Sequence, residues 1–61
     1  MTTYTHGIYT ATVTDDNHVV VTKNGVVFNR PGPWADQQGA DTWAQVAPAY
    51  YTIEDEKAAA P

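Results

Sequence analysis

Residues Tyr9-Thr10-Ala11-Thr12-Val13-Thr14 alternate strictly between apolar and hydroxyl side chains. A period of two marks a strand with one buried face and one wet face. Asp15-Asp16-Asn17 follows as a turn, because short carbonyl side chains bond nearby backbone and Asn tolerates a positive φ. Val19-Val20-Val21-Thr22 predicts a second strand. Asn24-Gly25 is a two-residue hairpin signal of the type I′ class, and Val26-Val27-Phe28-Asn29 continues as a third strand. The expected spans are about 8–14, 18–23 and 26–30.

Turn lengths fix the register. A three-residue loop at 15–17 sets Thr14 opposite His18, Val13 opposite Val19 and Ala11 opposite Val21. A two-residue turn at 24–25 sets Lys23 opposite Val26 and Val21 opposite Phe28. Tyr9, Ala11, Val13, Val19, Val21, Val26 and Phe28 then share one apolar face, whereas a slip of one residue would scatter them. Thr10, Thr12, Thr14, Val20, Thr22, Val27 and Asn29 line the other face, where Val20 and Val27 are expected opposite each other.

The apolar face needs a cover. Arg30-Pro31-Gly32-Pro33 cannot continue a central strand, since proline lacks the ladder donor. Within 41–47, Trp43, Val46 and Ala47 share one side of a short helix capped by Asp41, and Pro48 is expected to end it. Ala49-Tyr50-Tyr51-Thr52-Ile53 reads as a further strand over 49–53, in which consecutive tyrosines face opposite ways. Residues 57–61 read as a frayed tail, as do residues 1–5 unless Tyr4 and Ile8 extend the first strand. The fold class is small β-rich α+β: a three- to four-stranded antiparallel meander with one short helix or turn on one face. Residues 1–56 form a single domain in this reading.

Composition agrees with sheet. The 61 residues include nine Thr, seven Val and four Tyr, with no Leu, a mixture that suits pleated structure better than a helical bundle. With neither Cys nor Ser, disulfides, thiolate ligands and serine nucleophiles are all excluded. A net charge of −4 with three Lys+Arg argues against nucleic acid. The longest apolar run is far below the roughly 18 residues of a membrane span. Neither membrane nor nucleic-acid partners are expected, and the absent targeting signal points to the cytoplasm, or to association with a virion.

Candidate chemistry is sparse. His6 and His18 lie roughly 26 Å apart along an unbroken strand at about 3.3 Å per residue, so they share no metal site. Asp15-Asp16-Asn17-His18 matches neither an EF-hand loop nor a zinc pattern and reads as a turn. Carboxylate pairs such as Asp36 and Asp41, or Glu54 and Glu56, read as solvated surface. No catalytic residue, metal ligand or cofactor is assigned.

The aromatic residues carry the functional reading. Trp34, Trp43, Tyr50 and Tyr51 cluster in the second half beside the Pro-Gly-Pro bend, where Trp43 reads as core and Trp34 stands on a rigid platform. Tyr and Trp give large contact area at low entropic cost. The expected function is therefore a non-catalytic protein-interaction module, with Trp34, Tyr50, Tyr51 and Trp43 as anchors and Arg30 at the rim. Self-association through the Thr/Val sheet face, as in a small structural subunit, is a second reading.

Two resemblances bear on this. Over Val20–Val46, Asn24-Gly25-x-x-Phe28, a Pro-containing loop and Trp43-x-x-Val46 resemble the end of small chitin- or cellulose-binding modules, although the leading Trp of those modules is missing. That resemblance implies glycan binding by Trp34 and Trp43, in a secreted or virion-borne protein. In size and acidity the chain is similar to accessory proteins of bacteriophages and their hosts, which implies docking on a host or virion protein.

Overall fold

The computed structural model describes residues 2–59. Strands β1 (Thr2–His6), β2 (Tyr9–Val13), β3 (Val19–Lys23) and β4 (Val26–Asn29) precede one helix, α1 (Gln37–Ala59). The strands form one antiparallel sheet in the order β1-β2-β3-β4 with α1 packed on it, a small α+β fold.

The alternation in β2 governs the sheet. Tyr9, Ala11 and Val13 are buried, as are Val19 and Val21 of β3. Val13 pairs with Val19 and Ala11 with Val21, and the Thr14 amide donates to the His18 carbonyl at 2.9 Å, the register expected from a three-residue loop. Asn17 supplies that loop's positive φ of 65°, while Asn24 and Gly25 have φ of 54° and 81°, as a type I′ turn requires. On the outer face the threonines bond one another across strands, Thr3 to Thr12 at 2.9 Å and Thr10 to Thr22.

Several expectations need correction. The first strand does not begin at residue 8. Gly7, with φ of 60°, turns the chain at Gly7–Ile8, and Thr2–His6 pairs with β2 as a strand of its own. The third strand ends at Asn29 rather than at residue 30. Its register also changes, because Val21 pairs with Asn29 while Thr22 pairs with Val27. Two steps on β4 thus match one on β3, and Phe28 is the additional residue of a bulge. Val27 pairs with Thr22, so it does not face Val20. Val26 and Phe28 are exposed rather than buried, since the helix lies over β2, β1 and, least, β3.

The largest correction concerns the second half of the chain. Residues 41–47 and 49–53 belong to one 23-residue helix, about 35 Å long at 1.5 Å per residue. Asp36, not Asp41, caps it, accepting a hydrogen bond from the Gly39 amide at 2.8 Å. Helix runs through Pro48 because its sheet-facing stripe is Ala40, Ala44, Ala47 and Pro48, all buried. Packing of that stripe outweighs the roughly 3 kcal/mol helix penalty of an interior proline. Positions 57–59 are helical rather than frayed; Met1 and residues 60–61 lie outside the described residues.

Polar contacts fasten the helix at both ends. Gln37 Nε2 donates to the Thr14 carbonyl at 2.8 Å and to Asn17 Oδ1 at 2.6 Å. The Tyr4 hydroxyl donates to Asp41 at 2.6 Å, and the buried Tyr9 sends its hydroxyl to Asp55, which Lys23 approaches to 3.5 Å. The crossover is tied down by the Val19 amide to the Pro31 carbonyl at 3.1 Å and by the Trp34 amide to the Asn17 carbonyl at 2.8 Å. Gly32 is required there: its φ is 121°, and a Cβ would lie 3.0 Å from the Asn17 carbonyl oxygen.

Ala44 has no exposed surface, so Ala44→Leu should destabilise the fold by about 1–3 kcal/mol in urea titration. Hydrogen bonds from Tyr4 and Tyr9 hold the Asp41 and Asp55 carboxyls below their ordinary range, and the same aspartates raise the two tyrosines. A lowered carboxyl pKa stabilises the fold above the unfolded value of about 4 and is lost as pH falls through the folded value. A raised tyrosine pKa stabilises below about 10 and is lost as pH rises through its folded value. The urea midpoint should therefore fall at both extremes of pH, and Asp55→Asn should flatten the acid limb.

Candidate functional site

The crossover delivers Trp34 beside α1, where its ring meets Trp43 at 5.2 Å between centroids and an interplanar angle of 38°. Both indoles are half-buried against the core. Trp43 continues the aromatic row to Tyr51 at 6.5 Å. Tyr51 is its hub, stacked on Tyr9 at 5.5 Å and edge-on to Phe28 at 5.2 Å. Its hydroxyl accepts a hydrogen bond from Asn29 Nδ2 at 3.2 Å. Tyr51 thus ties β4 to the helix.

Tyr50 does not point away from Tyr51 as it would in a strand. Consecutive helical residues are about 100° apart, so the two rings lie 5.5 Å apart while Tyr50 stays exposed. Arg30 does not join the row: its guanidinium lies 3.3 Å from Asp16 in the β2–β3 turn. His18 Nδ1 approaches the same carboxylate at 3.3 Å. The Thr14 hydroxyl, and then His18, hold Asp16 below the usual carboxylate range against a desolvation that raises it. This cluster braces the turn.

Val46 and Ile53, which sequence reasoning missed as site residues, complete the surface. Trp43, Val46, Tyr50 and Ile53 are spaced by three, four and three residues along α1, the repeat of a coiled-coil seam. Val46, Tyr50 and Ile53 are 60%, 57% and 50% exposed, so the helix carries a second apolar stripe beside the one on the sheet. This spacing was present in the sequence, but a helix ending at Pro48 and a strand over 49–53 cut it in two.

At the N-terminal end of the stripe is an open groove lined by Trp34, Asp36, Gly39, Thr42, Trp43 and Val46. Gly39 keeps it open: a Cβ there would sit 3.4 Å from the Trp34 ring and 3.3 Å from Asp36 Oδ1. On β4, Phe28 adjoins the helix through Tyr51, and both it and Val26 are exposed. Histidine does not enter this surface. His6 adjoins the β1–β2 turn and His18 the β2–β3 turn, at opposite ends of β2. Among the described residues, no group of three or more His, Asp or Glu is placed to hold a metal ion, and no helix is long and apolar enough to cross a membrane.

The indole pair should be visible spectroscopically. Rings this close couple their transitions, so the far-ultraviolet dichroism should contain a couplet that Trp34→Phe and Trp43→Phe each abolish. Acrylamide should quench the remaining tryptophan of either variant to an intermediate degree. Full shielding of one and full exposure of the other would contradict the paired, half-buried arrangement.

No protein-family model, curated protein or solved structure matches the chain.

Proposed function

We propose that the protein is a small non-catalytic interaction module that docks another polypeptide on the Trp43-Val46-Tyr50-Ile53 flank of α1 and its adjoining groove. The observation carrying this reading is the exposure of Val46, Tyr50 and Ile53, beside the half-buried Trp43, on a helix whose other stripe is already seated on the sheet. An amphipathic helix needs one apolar stripe to fold onto its sheet. Large contiguous apolar surface beyond that marks a site for another molecule. Tyr and Trp at the centre of such a patch are frequent binding anchors, and heptad spacing suits a helical ligand.

Trp34 and Trp43 serve this surface as the wall of the groove. Each indole has its neighbour at 5.2 Å, which leaves less free ring face for sugar stacking than an isolated exposed Trp would offer. Tyr51 acts as a support beneath the anchors, and Arg30 braces the turn beside them.

Selection of a random peptide library on the immobilised protein tests the reading. Enriched peptides should carry apolar heptads, and Tyr50→Ala or Ile53→Ala should each weaken them at least tenfold, about 1.4 kcal/mol. Thr5→Ala on the outer face should leave them unchanged. Peptides indifferent to both seam variants, or glycan binding abolished by Trp34→Ala, would overturn the proposal.

A further inference from the structure

Two features of the helix flank constrain what can lie on it. An α-helix is about 10 Å across and neighbouring strands are about 4.8 Å apart, so one helix covers about two strands. Here α1 lies mainly over β2 and β1 of a four-stranded sheet. Val19 and Val21 of β3 are buried as well, so β4, with Val26 and Phe28 exposed, is the strand left open beside the helix. The groove is also a knob-accepting hole: Gly39, Thr42, Trp43 and Val46 stand at i, i+3, i+4 and i+7, the four-residue socket of helix-into-helix packing.

We infer that a second copy of this chain occupies this flank, its α1 running antiparallel to the first about a two-fold axis between Val46 and Tyr50. The inference rests on the docking reading above and names the partner. Antiparallel pairing about that point sets Ile53 of each copy against Trp43 of the other, so that Ile53 is the knob for the socket opened by Gly39. It also sets Val46 against Tyr50, a small side chain facing a large one. Every contact occurs twice, as an isologous interface requires.

Charge favours the same direction. Lys57 is the next seam position after Ile53, and among the described residues its one ion pair is a long contact with Glu54, at 3.8 Å. Antiparallel pairing carries it to the groove end of the partner helix, near Asp36. Parallel pairing would stack Lys57 on Lys57. The edge strand points the same way: β4 reads Val-Val-Phe-Asn, with neither charge nor proline to blunt it. It lies on the same flank as the seam, so one two-fold axis brings both elements toward their symmetry mates in antiparallel sense. An interface of ordinary size takes about 800 Å² from each partner, about a fifth of the 3941 Å² of this chain. The seam, the groove and β4 would thus be used together.

Sedimentation equilibrium from about 1 µM to 1 mM, the range of reversible pairing, is the first test. Wild type should pass from 6.7 kDa to twice that mass. Ile53→Asp, with its helical dichroism intact, should raise the dissociation constant at least a hundredfold, and Thr5→Lys should not change it. Because the chain has no cysteine, Thr42→Cys and Glu56→Cys give clean single thiols near opposite ends of the seam. Mixed in air, they should form the heterodisulfide in preference to either homodisulfide.

A preference for homodisulfides, or a dimer that survives Ile53→Asp, would overturn the inference. A strict monomer at 1 mM would overturn it as well. If that monomer still binds selected peptides through Ile53, the docking surface stands and self-pairing alone fails. If peptide binding is also indifferent to Ile53, both fail.

Discussion

The close seating of α1 on the sheet, through alanines, is the contact on which the rest of the structure depends. Ala40, Ala44 and Ala47 of the helix and Ala11 of β2 are buried to within 1%. Small side chains let the helix axis approach the strands, at the cost of little apolar area per residue. A chain of about 60 residues has a marginal core in any case. Alignment is therefore shared with the rim, where Tyr4 and Tyr9 reach past the alanines to Asp41 and Asp55. The tyrosines act as spacers and their hydroxyls as latches, so the helix is held in position as well as in contact.

Putting alanine inside leaves the large side chains outside. Trp43, Val46, Tyr50 and Ile53 form the second stripe because the first is built from residues small enough to sit on β2. The flank is thus a consequence of how the core is made. The same logic explains β4. A helix centred over β2 cannot also shelter the fourth strand, and the bulge at Phe28 turns that strand's aromatic residue toward Tyr9 and Tyr51 at the margin of the cover. Exposed apolar surface on helix and strand therefore meets along a single line.

Much of the sheet was legible in the sequence. The Thr alternation, the Asn-Gly turn and the three-residue loop carried β2, β3, the start of β4 and the register between β2 and β3, because period and turn chemistry are local properties. β1 was harder to read: Thr2–His6 has few apolar residues, and its pairing depends on a turn whose signal is one glycine. The bulge left no local mark. Most was lost in the helix. Its buried stripe is alanine and proline, which register weakly as hydrophobic, and Pro48 is a stop signal by every local rule. Of the candidate site, the aromatic anchors were found by residue type. Val46, Ile53 and Phe28, which make those anchors a surface, needed the continuous helix and the bulge to be known first.

Pro48 shows how local and tertiary preferences divide the work. Its missing amide removes one rung of the helix ladder, and the Thr52 hydroxyl sits one turn later, donating to the Pro48 carbonyl at 2.8 Å and lying 3.4 Å from the His6 carbonyl. The same side chain would meet a Cβ at Gly7 at 3.5 Å. Proline, threonine and the tight β1–β2 turn thus form one contact, in which the segment least suited to be helical is held against the sheet. Anchored there, the helix can carry Tyr50 and Ile53 onward at a fixed angle to Trp43 and Val46. The seam is continuous because the proline that should interrupt it is buried on the sheet-facing stripe.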